Sequence, residues 1–177
     1  MSCKWIACFI ALVVASAATS VAQAFVWRAS GADADAAPPS PPPSPGAVEA
    51  AVRAYFSTQS NKDCKGLVEL LAPDFMLEDP FGTPPVTNAS DVLANCQGGG
   101  AVFKTIALDV TRVFVAGGGA AVEWHCGSVT TRGCVLDFDG VDEFEVDGDA
   151  RITAVRGFYN ASIPAKQFNC TPPAVVA

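Results

Sequence analysis

The sequence predicts an α+β domain, with N-terminal helices packed on one face of a curved antiparallel sheet that wraps around a pocket. Apolar residues recur at three- and four-residue spacing between Val48 and Leu71, the period of a buried helical stripe. From Lys104 onward the period drops to two, and Gly117-Gly118-Gly119, Arg132-Gly133 and Asp147-Gly148-Asp149 mark reversals between strand-like segments. Helices first and a meander of strands afterwards is the order of an α+β fold, and a sheet curved over a helix leaves a concave mouth suited to a small molecule.

Pro45 and Gly46 open the first helix, whose buried stripe is Val48, Ala51, Val52, Tyr55 and Phe56. Asn61-Lys62-Asp63 reads as a cap, after which Leu67, Val68, Leu70 and Leu71 carry a second helix that Pro73 stops. A third, shorter helix is expected from Ser90 as N-cap through Asn95, with the glycines at 98–100 ending it. Lys104 to Phe114, Ala120 to Val129, Val135 to Val146 and Arg151 to Tyr159 then supply four consecutive antiparallel strands.

Residues 1–24 have the basic start, apolar run (Trp5 to Ala18) and small-residue end (Ala22-Gln23-Ala24) of a signal peptide, with cleavage expected after Ala24. That run is shorter than the roughly 20 residues of a membrane-spanning helix. The expectation is a chain secreted or held in the lumen of the secretory pathway, with no membrane association after cleavage. Residues 25–45 are rich in proline and alanine and read as an extended linker; 46–163 form the domain and 164–177 a C-terminal tail. Losing Lys4 with the leader takes the formal net charge from −7 to −8, which disfavours nucleic acid and other polyanions as partners.

Five cysteines follow the leader, and export permits disulfides. Cys126 and Cys134, flanking a seven-residue stretch between two strands, are the first expected bridge; Cys64 and Cys96 are the second. With no CxxC pair and a single histidine there is no metal-ligand pattern, and no phosphate loop or serine elbow appears, so any catalysis would need no cofactor. Asn88-Ala-Ser, Asn160-Ala-Ser and Asn169-Cys-Thr are glycosylation sequons that fit an exported chain.

Three polar side chains stand where the pattern asks for apolar ones. Tyr55 belongs to the buried helical stripe. Asp79 lies in Phe75-Met76-Leu77-Glu78-Asp79-Pro80-Phe81, at a strand or loop edge among apolar neighbours. Asp142 shares a strand face with Leu136, Phe138, Phe144 and Val146, unless a bulge at Gly140 flips the register and turns it to water. A carboxyl forced among apolar groups tends to keep its proton while a wetter one loses it, so such a pair can do acid and base work at neutral pH. Taken singly, Tyr55 reads as a core tyrosine, Asp79 as a turn former and Asp142 as a satisfied core acid.

The order of these groups, with Val52-Arg53-Ala54-Tyr55-Phe56, Ala72-Pro73-Asp74-Phe75, Leu77-Glu78-Asp79-Pro80 and Phe138-Asp139-Gly140-Val141-Asp142-Glu143-Phe144, resembles the SnoaL-like, ketosteroid-isomerase-like branch of the NTF2-like superfamily. The resemblance runs from about Val48 to Asn160 and implies a cone-shaped α+β fold around a pocket. It implies Tyr55 and Asp142 as hydrogen-bond donors to an oxyanion and Asp79 as the base that moves a proton between carbons. It also implies a small hydrophobic ligand, and dimers are frequent among such proteins. His125 sits on the strand face opposite Val122, Trp124 and Cys126, away from a site. Arg156 shares a strand face with Ile152, Ala154 and Phe158, and would be the cation for a buried carboxylate, giving an Asp-Arg-Asp cluster with Asp79 and Asp142 like that of epoxide hydrolases. The expected function is proton transfer on a small hydrophobic carbonyl compound, with a non-catalytic ligand-binding or dimerisation module as the alternative.

Overall fold

A computed structural model describes residues 41–171, so the expected signal, most of the linker and residues 172–177 lie outside the described residues. Helix α1 (Pro45–Ser60) begins at Ser44, whose hydroxyl accepts a hydrogen bond from Ala47 N at 3.2 Å. Pro45 fits the first turn because no intrahelical partner is missed there. Asp63 caps α2 (Cys64–Glu69) by accepting from Gly66 N at 2.9 Å.

That second helix ends earlier than its leucine period suggests, because Leu71 opens strand β1 (Leu71–Glu78). Leu71, Phe75 and Leu77 are buried while Pro73 is exposed. A proline is tolerated here because β1 is an edge strand, where a missing N–H breaks no ladder. Helix α3 (Ala89–Val102) is also corrected: Asn88, not Ser90, is the N-cap, and the glycines at 98–100 lie inside the helix. Tertiary ties outweigh their low propensity. The Cys64–Cys96 disulfide fastens α3 to α2, and Lys62 Nζ donates to Phe103 O at 2.7 Å at the negative end of the helix.

The expected first strand is two, β2 (Phe103–Thr105) and β3 (Leu108–Ala116), both paired with the same edge of β4 (Gly119–Thr130). β5 (Val135–Val146), β6 (Ile152–Phe158) and α4 (Ser162–Phe168) complete the described chain. The sheet order is β1-β6-β5-β4, then β2 and β3. Pairing is antiparallel except between β1 and β6, which run parallel because the whole sheet and α3 intervene between them in sequence. Register shifts in β3 between Val110 and Arg112, and in β6 between Ile152 and Ala154, bend the sheet. Val48, Val52, Tyr55 and Phe56 of α1 enter the core with Leu77, Val122, Phe144 and Ile152 from the sheet. Full burial of each aliphatic or aromatic side chain contributes roughly 1.5–3 kcal/mol.

Among the described residues the disulfides are Cys64–Cys96 and Cys134–Cys170, and Cys126 is a free, buried thiol. The expected Cys126–Cys134 bridge is therefore wrong. Cys126 faces Phe138 across the hairpin, whereas Cys134 is bonded to Thr130, four residues further along β4. That is roughly 13 Å of extended strand, twice what a disulfide spans. The second bridge fastens the segment after α4 to the β4–β5 turn.

Candidate active site

Asp142 faces the inside of the fold. The β4–β5 ladder runs without a register shift from Gly119↔Glu145 to Val129↔Val135, so there is no bulge at Gly140. Asp142 is 6% exposed, while Asp139, Glu143 and Glu145 look out. Gly140 does something else: a Cβ there would collide with the ring of Trp124, its cross-strand partner. The bare glycine lets the indole lie flat over β5, and Trp124 Nε1 donates to Asp142 Oδ1 at 2.8 Å.

Asp79 follows the end of β1, where Phe81 N donates to Gly157 O at 2.7 Å and anchors the segment to β6. Gly157 is also the cross-strand partner of Asp142. A Cβ on Gly157 would stand 2.8 Å from Asp79 Oδ1 and 3.3 Å from Asp142 Oδ1, so the two carboxyls converge over this glycine. Tyr55, 2% exposed, packs edge-on against Phe144 with ring centroids 5.2 Å apart and approaches the same pair from α1. All three groups expected from the sequence line one cavity of about 140 Å³.

Desolvation dominates the electrostatics. It raises Asp79 from 3.8 to about 6, against the Tyr159 hydroxyl, whose hydrogen bond favours the anion. Asp142 is pushed well above the usual carboxylate range by burial and by the Asp79 charge, with the Trp124 hydrogen bond opposing. Burial and both acids also push Tyr55 and Tyr159 up, so each phenol stays protonated. Burial thus makes both acids hold their protons more tightly than ordinary carboxyls, and the Asp79 charge adds to this at Asp142.

Arg156 is not the expected counter-ion. The register shift around Thr153 leaves Val155 and Gly157 opposite the inward Phe144 and Asp142, and Arg156 opposite the outward Glu143. Its guanidinium is bonded to Glu145 at 2.7 Å on the outer face, so no Asp-Arg-Asp cluster forms. His125 is outside as expected, with Nδ1 2.9 Å from Asp139 and Nε2 3.6 Å from Asp137, and these acids raise its pKa. Sequence reasoning missed Trp124 and Tyr159 as polar members of the site. The available signal for Trp124 was an inward indole opposite Gly140 and diagonal to Asp142.

A curved sheet over helices, enclosing an apolar hollow, is the architecture of NTF2-like proteins. Within that class the chain belongs to the SnoaL-like domain family, which matches residues 52–155. Among solved structures it is similar to an LEH-like epoxide hydrolase of M. tuberculosis, at 19% identity and a TM-score of 0.62, covering 71% of this chain and 91% of that one. It is also similar to a hypothetical protein with a ketosteroid isomerase-like fold from Catenulispora acidiphila, solved in complex with trimethylamine. There the identity is 18% and the TM-score 0.59, covering 66% of this chain and 90% of that one. These likenesses establish the shared fold. No curated protein matches the chain.

Proposed function

We propose that the protein is an exported, cofactor-independent proton-transfer enzyme that isomerises or cyclises a small hydrophobic carbonyl compound. The observation that carries this is a pair of buried acids with different proton affinities facing one apolar hollow. Asp79, ionised near neutral pH, takes a proton from the carbon beside the substrate carbonyl. Asp142 and Tyr55 donate hydrogen bonds to the oxygen as negative charge builds there, and Trp124 holds the Asp142 carboxyl in place. Asp79 then returns the proton to another carbon. A cavity of this size matches about one six-membered ring, since an engineered cavity of about 150 Å³ takes up benzene. Export is supported by the leader-like start of the chain and by two disulfides.

The test is hydrogen–deuterium exchange at the α-carbons of small cyclic ketones, followed by NMR, with wild type against Asp79→Asn. The expected loss is roughly 10²–10⁴-fold. Wild-type exchange no faster than buffer across the ketone panel, or equal rates in the two proteins, refutes the catalytic assignment. A second reading, a ligand-holding or pairing module without turnover, is favoured by one observation. Phe81 and Phe158 stack at 4.9 Å on the outer face, where Phe158 pairs with Val141, and all three are exposed.

A further inference from the structure

The hollow has an unbalanced charge. At neutral pH Asp79 is ionised, and among the described residues no lysine, arginine or histidine forms an ion pair with it or with Asp142. The one cation in the lining, Lys62, has its Nζ on Phe103 O. The other titratable groups lining the hollow are Tyr55 from α1, Cys126 from β4 and Tyr159 after β6, and burial keeps all of them neutral. A carboxylate can accept about four hydrogen bonds. Asp79 has the neutral Tyr159 hydroxyl, and among the described residues no hydrogen bond reaches its buried Oδ1.

Around the acids the walls are aromatic. Trp124, Phe138 and Tyr159 stand in a mutually inclined triad, with centroids 5.6 Å, 5.8 Å and 5.6 Å apart and interplanar angles of 76°, 66° and 49°. Rings set at steep angles present both faces and edges to a guest, and faces attract cations. A buried anion without a counter-charge, inside ring walls enclosing space for one six-membered ring, describes a complementary guest: a positive nitrogen with N–H donors on a small apolar body.

We propose that this hollow binds a small ring-bearing primary ammonium ion, its nitrogen on the Asp79 carboxylate and its ring among Trp124, Phe138 and Tyr159. Binding needs no turnover, so this site stands whether or not the protein moves protons between carbons. Where it does, the amine competes with the carbonyl compound for the same space.

Calorimetric titration of the intact protein with benzylammonium chloride tests this, with benzyl alcohol as the neutral probe of nearly the same shape. At about pH 7.5 benzylammonium should bind about tenfold or more tightly than benzyl alcohol, from the charge-assisted hydrogen bond and ring contacts. Its affinity should fall by about tenfold per pH unit below the Asp79 titration, while that of benzyl alcohol should not fall. Asp79→Asn should remove the preference for the amine, and near-ultraviolet circular dichroism reports whether that variant keeps its packing. Equal affinity of the two probes for the wild type, an affinity for the amine that does not change between about pH 7.5 and 5, or no binding of the amine overturns the proposal. The wild-type comparison decides it even if the variant misfolds, and ketone exchange is read separately, so failure of amine binding and failure of turnover are distinguishable.

Discussion

Replacing Asp79 by asparagine should make the protein more stable at neutral pH. The folded chain holds this carboxyl at about 6 against an ordinary 3.8, chiefly by desolvation. Between those values the unfolded chain has released its proton and the folded chain has kept it, so folding stability falls as pH rises through this window and is lower by a constant amount above it. At 1.36 kcal/mol per pH unit the penalty is about 3 kcal/mol. Asparagine never ionises, retains a carbonyl for the Tyr159 hydroxyl and has nearly the same volume. It also removes the charge that raises Asp142, which adds to the gain with the same sign. Urea unfolding of both proteins at about pH 3 and about pH 7.5 isolates the effect, because packing differences are common to the two conditions. The stability difference between variant and wild type should move by about 3 kcal/mol in favour of the variant on going to the higher pH. An unchanged difference, or one that moves toward the wild type, refutes the desolvated anion and with it the base assigned to Asp79.

Trp124→Phe removes the donor to Asp142 while keeping a ring over Gly140; leaving a buried acceptor without its partner costs about 1–3 kcal/mol, measurable by the same unfolding assay. Stability equal to wild type would mean that the indole hydrogen bond is replaced or absent. Gly157→Ala puts a methyl 2.8 Å from Asp79 Oδ1, so the carboxyls must separate, and carbon-detected NMR should show Asp142 titrating lower than in the wild type as the Asp79 charge moves away; an unchanged Asp142 curve counts against their convergence at that glycine. Peptide mapping without reduction should recover Cys64–Cys96 and Cys134–Cys170 with the Cys126 thiol free. Removing the first bridge, which spans 32 residues, should cost about 3–4 kcal/mol in unfolding experiments.

Elements whose apolar period is uninterrupted were legible from sequence. The stripe from Val48 to Phe56 is buried as expected, and the alternation of β5 placed Asp142 inward without help from other strands. What escaped depended on partners distant in the chain. Leu71 and Pro73 look like a helix end until β6 is known to lie beside them, and the glycines of α3 look like a stop until Cys64 is known to hold it. Arg156 was misplaced because the residue that breaks the alternation, Thr153, carries no glycine or proline to announce it. The site is legible as three residue types in order; the closeness of Asp79 to Asp142 is not, because it depends on a glycine in a third strand.

The last helix shapes the protein's handling as much as its chemistry. Pro164 and Phe168 of α4 line the cavity, and Cys170 ties the chain beyond them to Cys134. Shortening the polypeptide before Ser162 for crystallisation, or producing it in a host whose cytosol keeps thiols reduced, would take down one side of the chamber. A preparation made either way could be well folded elsewhere and still report nothing about what the intact molecule holds.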